Sequence, residues 1–119
     1  MEKQNAISAL AALAQDSRLE AFRALVQAGP EGMAAGEVAA ALGVPANTLS
    51  FHFDRLRNAG LVSVERRSRS LIYSARYDTM NALLAYLTEN CCAGKPDACA
   101  PAACKPKPRS AKSKKEDAL

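Results

Sequence analysis

Between Pro45 and Arg76 the apolar residues change period once, and that change constrains the fold more than any other feature of the 119-residue chain. Leu49, Phe53 and Leu56 recur at the spacing of one helix face, and Asn58-Ala59-Gly60 ends the run. Leu61-Val62-Ser63-Val64-Glu65 then alternates as a strand, and Leu71-Ile72-Tyr73-Ser74-Ala75 supplies a return strand after the stretch Arg66 to Ser70. A helix must therefore run straight into a hairpin whose tip is rich in arginine.

The residues before this region predict three more helices. Ile7, Leu10, Ala11, Leu13 and Ala14 give a first amphipathic helix ending near Gln15. Ser17-Arg18-Leu19-Glu20 has the form of a capping box and opens a second, with Leu19, Phe22, Leu25 and Val26 inward and Gly29-Pro30 and Gly32 as the stop. A third runs from about Gly36 to Leu42, buries Val38 and Leu42, and is closed by Gly43. After the short turn Gly43-Val44-Pro45, Pro45 suits the first position of the fourth helix because no amide donor is needed there. Val44 and Leu61 are expected to plug the ends of the core. Two helices across a tight turn, followed by a hairpin, make a winged helix-turn-helix: mainly α with a small β-hairpin.

A last helix from Tyr77 or Asp78 carries Met80, Leu83, Leu84 and Leu87, more apolar surface than a domain of about 90 residues needs for one core. Surplus apolar surface on the first and last helices predicts a homodimer through both. The chain divides on this reading into a DNA-binding and dimerisation domain over 1–90, a Cys-rich segment over 91–104, and a disordered basic tail over 105–119.

The net charge of +4 is unevenly placed, with balances of −2, +4, −2 and +4 over residues 1–49, 50–76, 77–90 and 91–119. A near-neutral body thus has one basic face, around Arg55, Arg57, Arg66, Arg67, Arg69 and Arg76, suited to a polyanion such as double-stranded DNA. A reader helix offers its N-terminal side chains to base edges, which places Asn47, Thr48, Ser50 and His52 for sequence reading. Arg55 and Arg57 are expected to hold phosphates, and Arg66, Arg67 and Arg69 to reach phosphates or an adjacent minor groove. The alternative for each group is a solvated helix face and an ordinary charged turn.

No apolar run approaches the length of a membrane span and the N-terminus lacks a signal pattern, so the expected location is the cytoplasm, with no membrane partner. All four cysteines, Cys91, Cys92, Cys99 and Cys104, fall in the stretch CCAGKPDACAPAAC. In a reducing compartment such a cluster points to soft-ion ligation or redox chemistry in preference to structural disulfides. The spacing is unlike the paired motifs of structural zinc sites. An enzyme is not expected: neither a nucleophilic Cys on a phosphate-cradling loop nor a Cys-x-x-Cys at a helix start is present.

The run AAGEVAAALGVPANTLSFHFDRLRNAGLVSVERRSRSLIYSA, with DSRLEAFRALV before it, resembles the ArsR/SmtB family of dimeric winged-helix repressors over about residues 7–90. Two positions depart from the family pattern: Pro45 stands where a polar cap is usual, and the tip RRSRS lacks the common glycine. The segment YLTENCCAGKPDAC is similar to the members that bind arsenite with an adjacent Cys pair after the last helix and a further Cys beyond it. The resemblance implies Cys91, Cys92 and Cys99 as ligands to As(III), with Cys104 lacking a clear counterpart. It also implies a repressor that leaves its operator when the metalloid binds. Alternatives within the same fold are a thiol redox switch and sensing of antimonite, a methylated trivalent arsenical, cadmium or zinc.

Overall fold

The computed structural model describes residues 1–94, and the predictions made for Cys99, Cys104 and the basic tail lie outside that range. The chain divides into two units, Met1–Leu83 and one beginning at Leu84. The first contains α1 (Lys3–Leu13), α2 (Asp16–Ala28), β1 (Met33–Ala34), α3 (Ala35–Leu42), α4 (Ala46–Asn58), β2 (Val62–Arg67) and β3 (Ser70–Ala75), and α5 (Tyr77–Leu87) starts within it. Among the described residues of the second unit, the end of α5 is followed by a 3-10 turn, Cys91–Gly94. No helix among the described residues is long and apolar enough to cross a membrane.

The expected mainly helical fold with a hairpin is observed. Phe53, Leu25, Leu49, Leu56, Leu61, Val38 and Val62 are the largest fully buried side chains, so α2, α3, α4 and the base of the hairpin share one core. Phe53 stacks on Tyr73 with ring centroids 4.0 Å apart and planes 15° from parallel, joining α4 to the central strand. Tyr77 Oη donates to the carbonyl of Val26 at 3.1 Å, fixing the start of α5 against the end of α2.

The helix faces are not all those that periodicity suggests. On α1 the buried residues are Ala6, Ala9 and Ala12, while Ile7 and Leu10 face solvent. Small side chains let α1 approach α2 and α4 closely, so the alanine stripe is covered and the larger residues are left outside. On α2, Leu19 is exposed and Val26 half-buried, and Arg18 and Ala21 complete the inner stripe with Phe22 and Leu25. Leu42 and Val44 are half-buried.

Two expected helix starts are replaced, and a third helix gains a cap that the spacing does not reveal. The N-cap of α2 is Gln15, whose Oε1 accepts the Arg18 N–H at 2.9 Å, and Ser17 lies within the helix. Pro45 is the N-cap of α4, one position before the first helical residue, with no side-chain cap. At α3 the Glu37 carboxylate reaches back to accept the Ala34 N–H at 3.1 Å, the half of a capping box that an alanine N-cap permits.

The hairpin is longer and its turn tighter than the alternation indicates. β2 and β3 pair from Val62 with Ala75 to Arg67 with Ser70, leaving a two-residue turn. Ser68 takes φ 56°, the left-handed conformation that the missing glycine would otherwise occupy. β1, which periodicity does not reveal, adds a third antiparallel strand in the order β1-β3-β2, with Met33 opposite Tyr73. Gly32 makes this possible: its φ is 75°, and a Cβ there would collide with the Tyr73 carbonyl.

Candidate nucleic-acid interface

α4 has two chemically distinct sides. Leu49, His52, Phe53 and Leu56 are buried, and Asn47, Thr48, Ser50, Phe51, Arg55 and Arg57 are exposed. The buried side anchors the helix to the core, which leaves the polar tip rigidly presented. Asn47 Oδ1 accepts the Thr48 N–H at 2.9 Å, which orients the amide and leaves the second Oδ1 lone pair and both Nδ2 protons for a base. Arg55 and Arg57 stand in the last turn, where their charge also complements the carbonyl end of the helix.

His52, expected among the base readers, instead faces the core: it is only 8% exposed and its Nδ1 lies 3.5 Å from Arg18 Nη1. A guanidinium has only donors, so Nδ1 must be the acceptor and the imidazole neutral. Burial lowers the His52 pKa from its ordinary value of 6.5, and the neighbouring Arg18 charge lowers it further.

Arg18, which sequence reasoning passed over, is buried too, and its Nε donates to the carbonyl of Ala12 at 2.7 Å. One side chain therefore ties the end of α1 and the start of α2 to the reader helix. The signal in the sequence was positional: Arg18 falls on the same stripe as Ala21, Phe22 and Leu25, where a charged residue needs buried polar partners.

The wing carries Arg66, Arg67 and Arg69, all exposed. Consecutive strand residues point to opposite faces, so Arg66 and Arg67 leave the wing on opposite sides. Arg67 Nη2 meets Glu65 Oε1 at 3.2 Å in an exposed pair, which offsets part of its charge. Arg76 Nη2 is similarly engaged with Asp78 Oδ2 at 3.0 Å, and this bond is the main reason that the Asp78 pKa is lowered. The basic face is thus carried mainly by Arg55, Arg57, Arg66 and Arg69. At the base of the wing, burial raises the Tyr73 pKa above 10, and the nearby Asp54 adds to the rise, so the phenol stacked on Phe53 is neutral at physiological pH.

The family match to a Helix-turn-helix domain covers residues 13–65, from the end of α1 into β2. The chain is 38% identical over 73 residues to the uncharacterized HTH-type transcriptional regulator YceK of Bacillus subtilis strain 168, an alignment spanning 61% of this chain and 72% of that protein. The chain belongs to the HTH-type transcriptional regulators.

The regulator also superposes on an ArsR-like transcriptional regulator from Rhodococcus sp. RHA1 with a TM-score of 0.62 and 26% identity, covering 71% of this chain and 76% of the other. The homodimeric winged helix-turn-helix DNA-binding domain of a possible ArsR-family regulator from Mycobacterium bovis shares the fold, with a TM-score of 0.60 and 24% identity over 73% of this chain and 81% of that one. The regulator thus has the winged helix-turn-helix fold of these ArsR-type neighbours, and its relatives are DNA-binding transcription regulators and not enzymes.

Cys91 begins the 3-10 turn after α5 and is half-buried, Cys92 follows it, and the Cys91 N–H donates to the Thr88 carbonyl at 3.0 Å. Among the described residues no group of three or more Cys, His, Asp or Glu could hold a metal ion. Cys99 and Cys104, the expected third ligand and its neighbour, lie outside the described residues.

Proposed function

We propose that the regulator is a homodimeric repressor that grips operator DNA with two copies of α4 and releases it when As(III) binds Cys91, Cys92 and Cys99. The observation that carries the DNA half is the two-sidedness of α4: an apolar face locked into the core and a polar tip of Asn47, Thr48 and Ser50 left outside. Two such helices fit successive major grooves about 34 Å apart on an imperfect palindrome. Dimerisation is supported by the exposure of Ile7 and Leu10 on α1 and of Leu84 and Leu87 on α5, and by the homodimeric state of the related Mycobacterium bovis domain.

The inducer half rests on the donor set. Two adjacent thiols begin the turn after α5 and a third follows along the chain, with Cys104 as a spare. Sulfur-only ligation suits a soft, thiophilic ion. Arsenous acid exchanges three As–O bonds for three As–S bonds, and each thiol proton leaves with a hydroxide as water. Capture of the third thiol tethers the following segment to the turn after α5, and strain there is passed to the subunit contact. Coupling of this kind typically amounts to about 1–3 kcal/mol, or roughly 5- to 150-fold weaker DNA binding.

A gel-shift titration of fully reduced protein tests the proposal. Operator complex should disappear as arsenite is added, and X-ray absorption on the loaded protein should count three sulfur neighbours per arsenic. An operator affinity that ignores arsenite would refute the inducer assignment while leaving the DNA-reading assignment standing.

A further inference from the structure

Phe51 is the most exposed large apolar side chain among the described residues, at 56%, and it sits on the reader helix one turn beyond Asn47 and Thr48. Those three residues share a face of α4, since positions three and four apart on a helix are neighbours. A bulky ring left in water at this place forgoes the burial that the rest of the core secures.

Its orientation is not left to chance. The Arg55 guanidinium lies 5.6 Å from the Phe51 ring centroid, on the helical turn that follows. The His52 ring lies against it at 6.0 Å between centroids with planes tilted by 57°. His52 in turn is held by Arg18 at 3.5 Å. The exposed ring is thus bracketed by one surface cation and one buried imidazole, and its outer edge is presented beside the polar tip.

We propose that Phe51 reads the 5-methyl group of a thymine in the major groove, beside the base addressed by Asn47. The inference rests on the assignment of α4 as the DNA reader and deepens it. Of the four bases only thymine displays a methyl group in that groove, and an aromatic side chain is an apolar surface suited to it. The ring then supplies discrimination that neither Asn47 nor Ser50 offers, because hydrogen-bonding groups are indifferent to a methyl. Arg55, stacked on the same ring, is carried toward the flanking phosphate. A 5-methylcytosine presents the same methyl and is accepted in place of thymine better than unmodified cytosine is.

The test uses the full-length reduced protein and a duplex site selected from a random pool. Each thymine is replaced singly by deoxyuridine, which removes only the methyl, and affinity is read by fluorescence anisotropy. One thymine per half-site should show a loss of roughly fourfold, the worth of one buried methyl-sized group. Phe51→Ser should bind the thymine and uracil duplexes equally, and Phe51→Leu should keep part of the preference. The proposal is overturned if no uracil replacement weakens the wild-type protein, or if Phe51→Ser keeps the wild-type ratio. It is also overturned if Phe51→Ser changes only the sedimentation of the free protein, which would make the ring a protein contact. Failure of the underlying assignment looks different: the wild-type protein would then select no sequence, and Asn47→Ala and Arg55→Ala would bind as it does.

Discussion

Acidification should loosen the seam between the reader helix and the body through His52. The ring is 8% exposed and its Nδ1 faces Arg18 Nη1 at 3.5 Å, so a second ring proton would place two donors and two cations against each other in a buried site. Burial and then Arg18 hold the His52 pKa below 6.5 in the folded state, whereas in the unfolded chain it titrates near that value. Below pH 6.5 the unfolded state therefore binds the extra proton and the folded state resists it. Stability falls as pH falls, by up to about 1.4 kcal/mol per pH unit, until the folded-state pKa is passed. Above pH 7.5 this contribution is flat. Urea unfolding followed by circular dichroism from pH 5 to 8, at fixed protein concentration, measures the slope. His52→Gln removes the titration and should give a shallower line between pH 5 and 6.5. Arg18→Met removes one of the two causes that lower the folded-state pKa, so the loss should still begin near pH 6.5 but end at a higher pH and be smaller in total. The substitution should also cost about 1–3 kcal/mol throughout, because the Ala12 carbonyl loses its donor. Parallel pH profiles for the wild-type protein and His52→Gln would refute the reasoning.

Other perturbations probe separate parts of the molecule. Gly32→Ala meets both a φ of 75° and the Tyr73 carbonyl, so it should destabilise by more than about 1 kcal/mol and lower the melting temperature by at least about 4 °C; an unchanged melt would mean that β1 is dispensable. Ser68→Gly relieves the left-handed turn residue and should leave stability unchanged or raise it by up to about 1 kcal/mol, with a clear loss counting against the turn geometry. Arg55→Ala should weaken binding to every duplex and reduce the salt slope by about 1, whereas Asn47→Ala should relax preference at one base by about 1–3 kcal/mol; interchanged phenotypes would reverse the phosphate and base assignments. Cys91→Ser and Cys92→Ser should abolish release by arsenite in the gel shift with DNA binding intact, and Cys104→Ser should matter little. Loss of operator binding in the two former variants without any ligand would make those cysteines structural.

Much of the site was legible because the reader helix and the wing are built from local signals. The three-to-four spacing of Leu49, Phe53 and Leu56 marks the inner face of α4, so the outward placement of Asn47, Thr48 and Ser50 follows directly. The alternation after Gly60 likewise reveals the hairpin. Phe51 falls off the three-to-four spacing, but its apolar character by itself suggests burial and gives no sign of a reader. His52 was misplaced for the complementary reason: a polar type on a reader helix suggests exposure, although its position one residue before Phe53 lies on the inner side.

The amino-acid sequence by itself determined the order of the helices, the turn between α3 and α4, the hairpin and the concentration of thiols after α5, because period, turn residues and composition act over a few residues. Tertiary structure alone decided that alanines and not Ile7 and Leu10 are covered on α1, that Met33 and Ala34 join the sheet, and that Arg18 and His52 meet although 34 positions apart. Those outcomes depend on which surfaces come together in space: close helix approach selects small residues, a two-residue strand has no period until a partner strand defines it, and a buried cation is tolerable only where a distant acceptor is waiting.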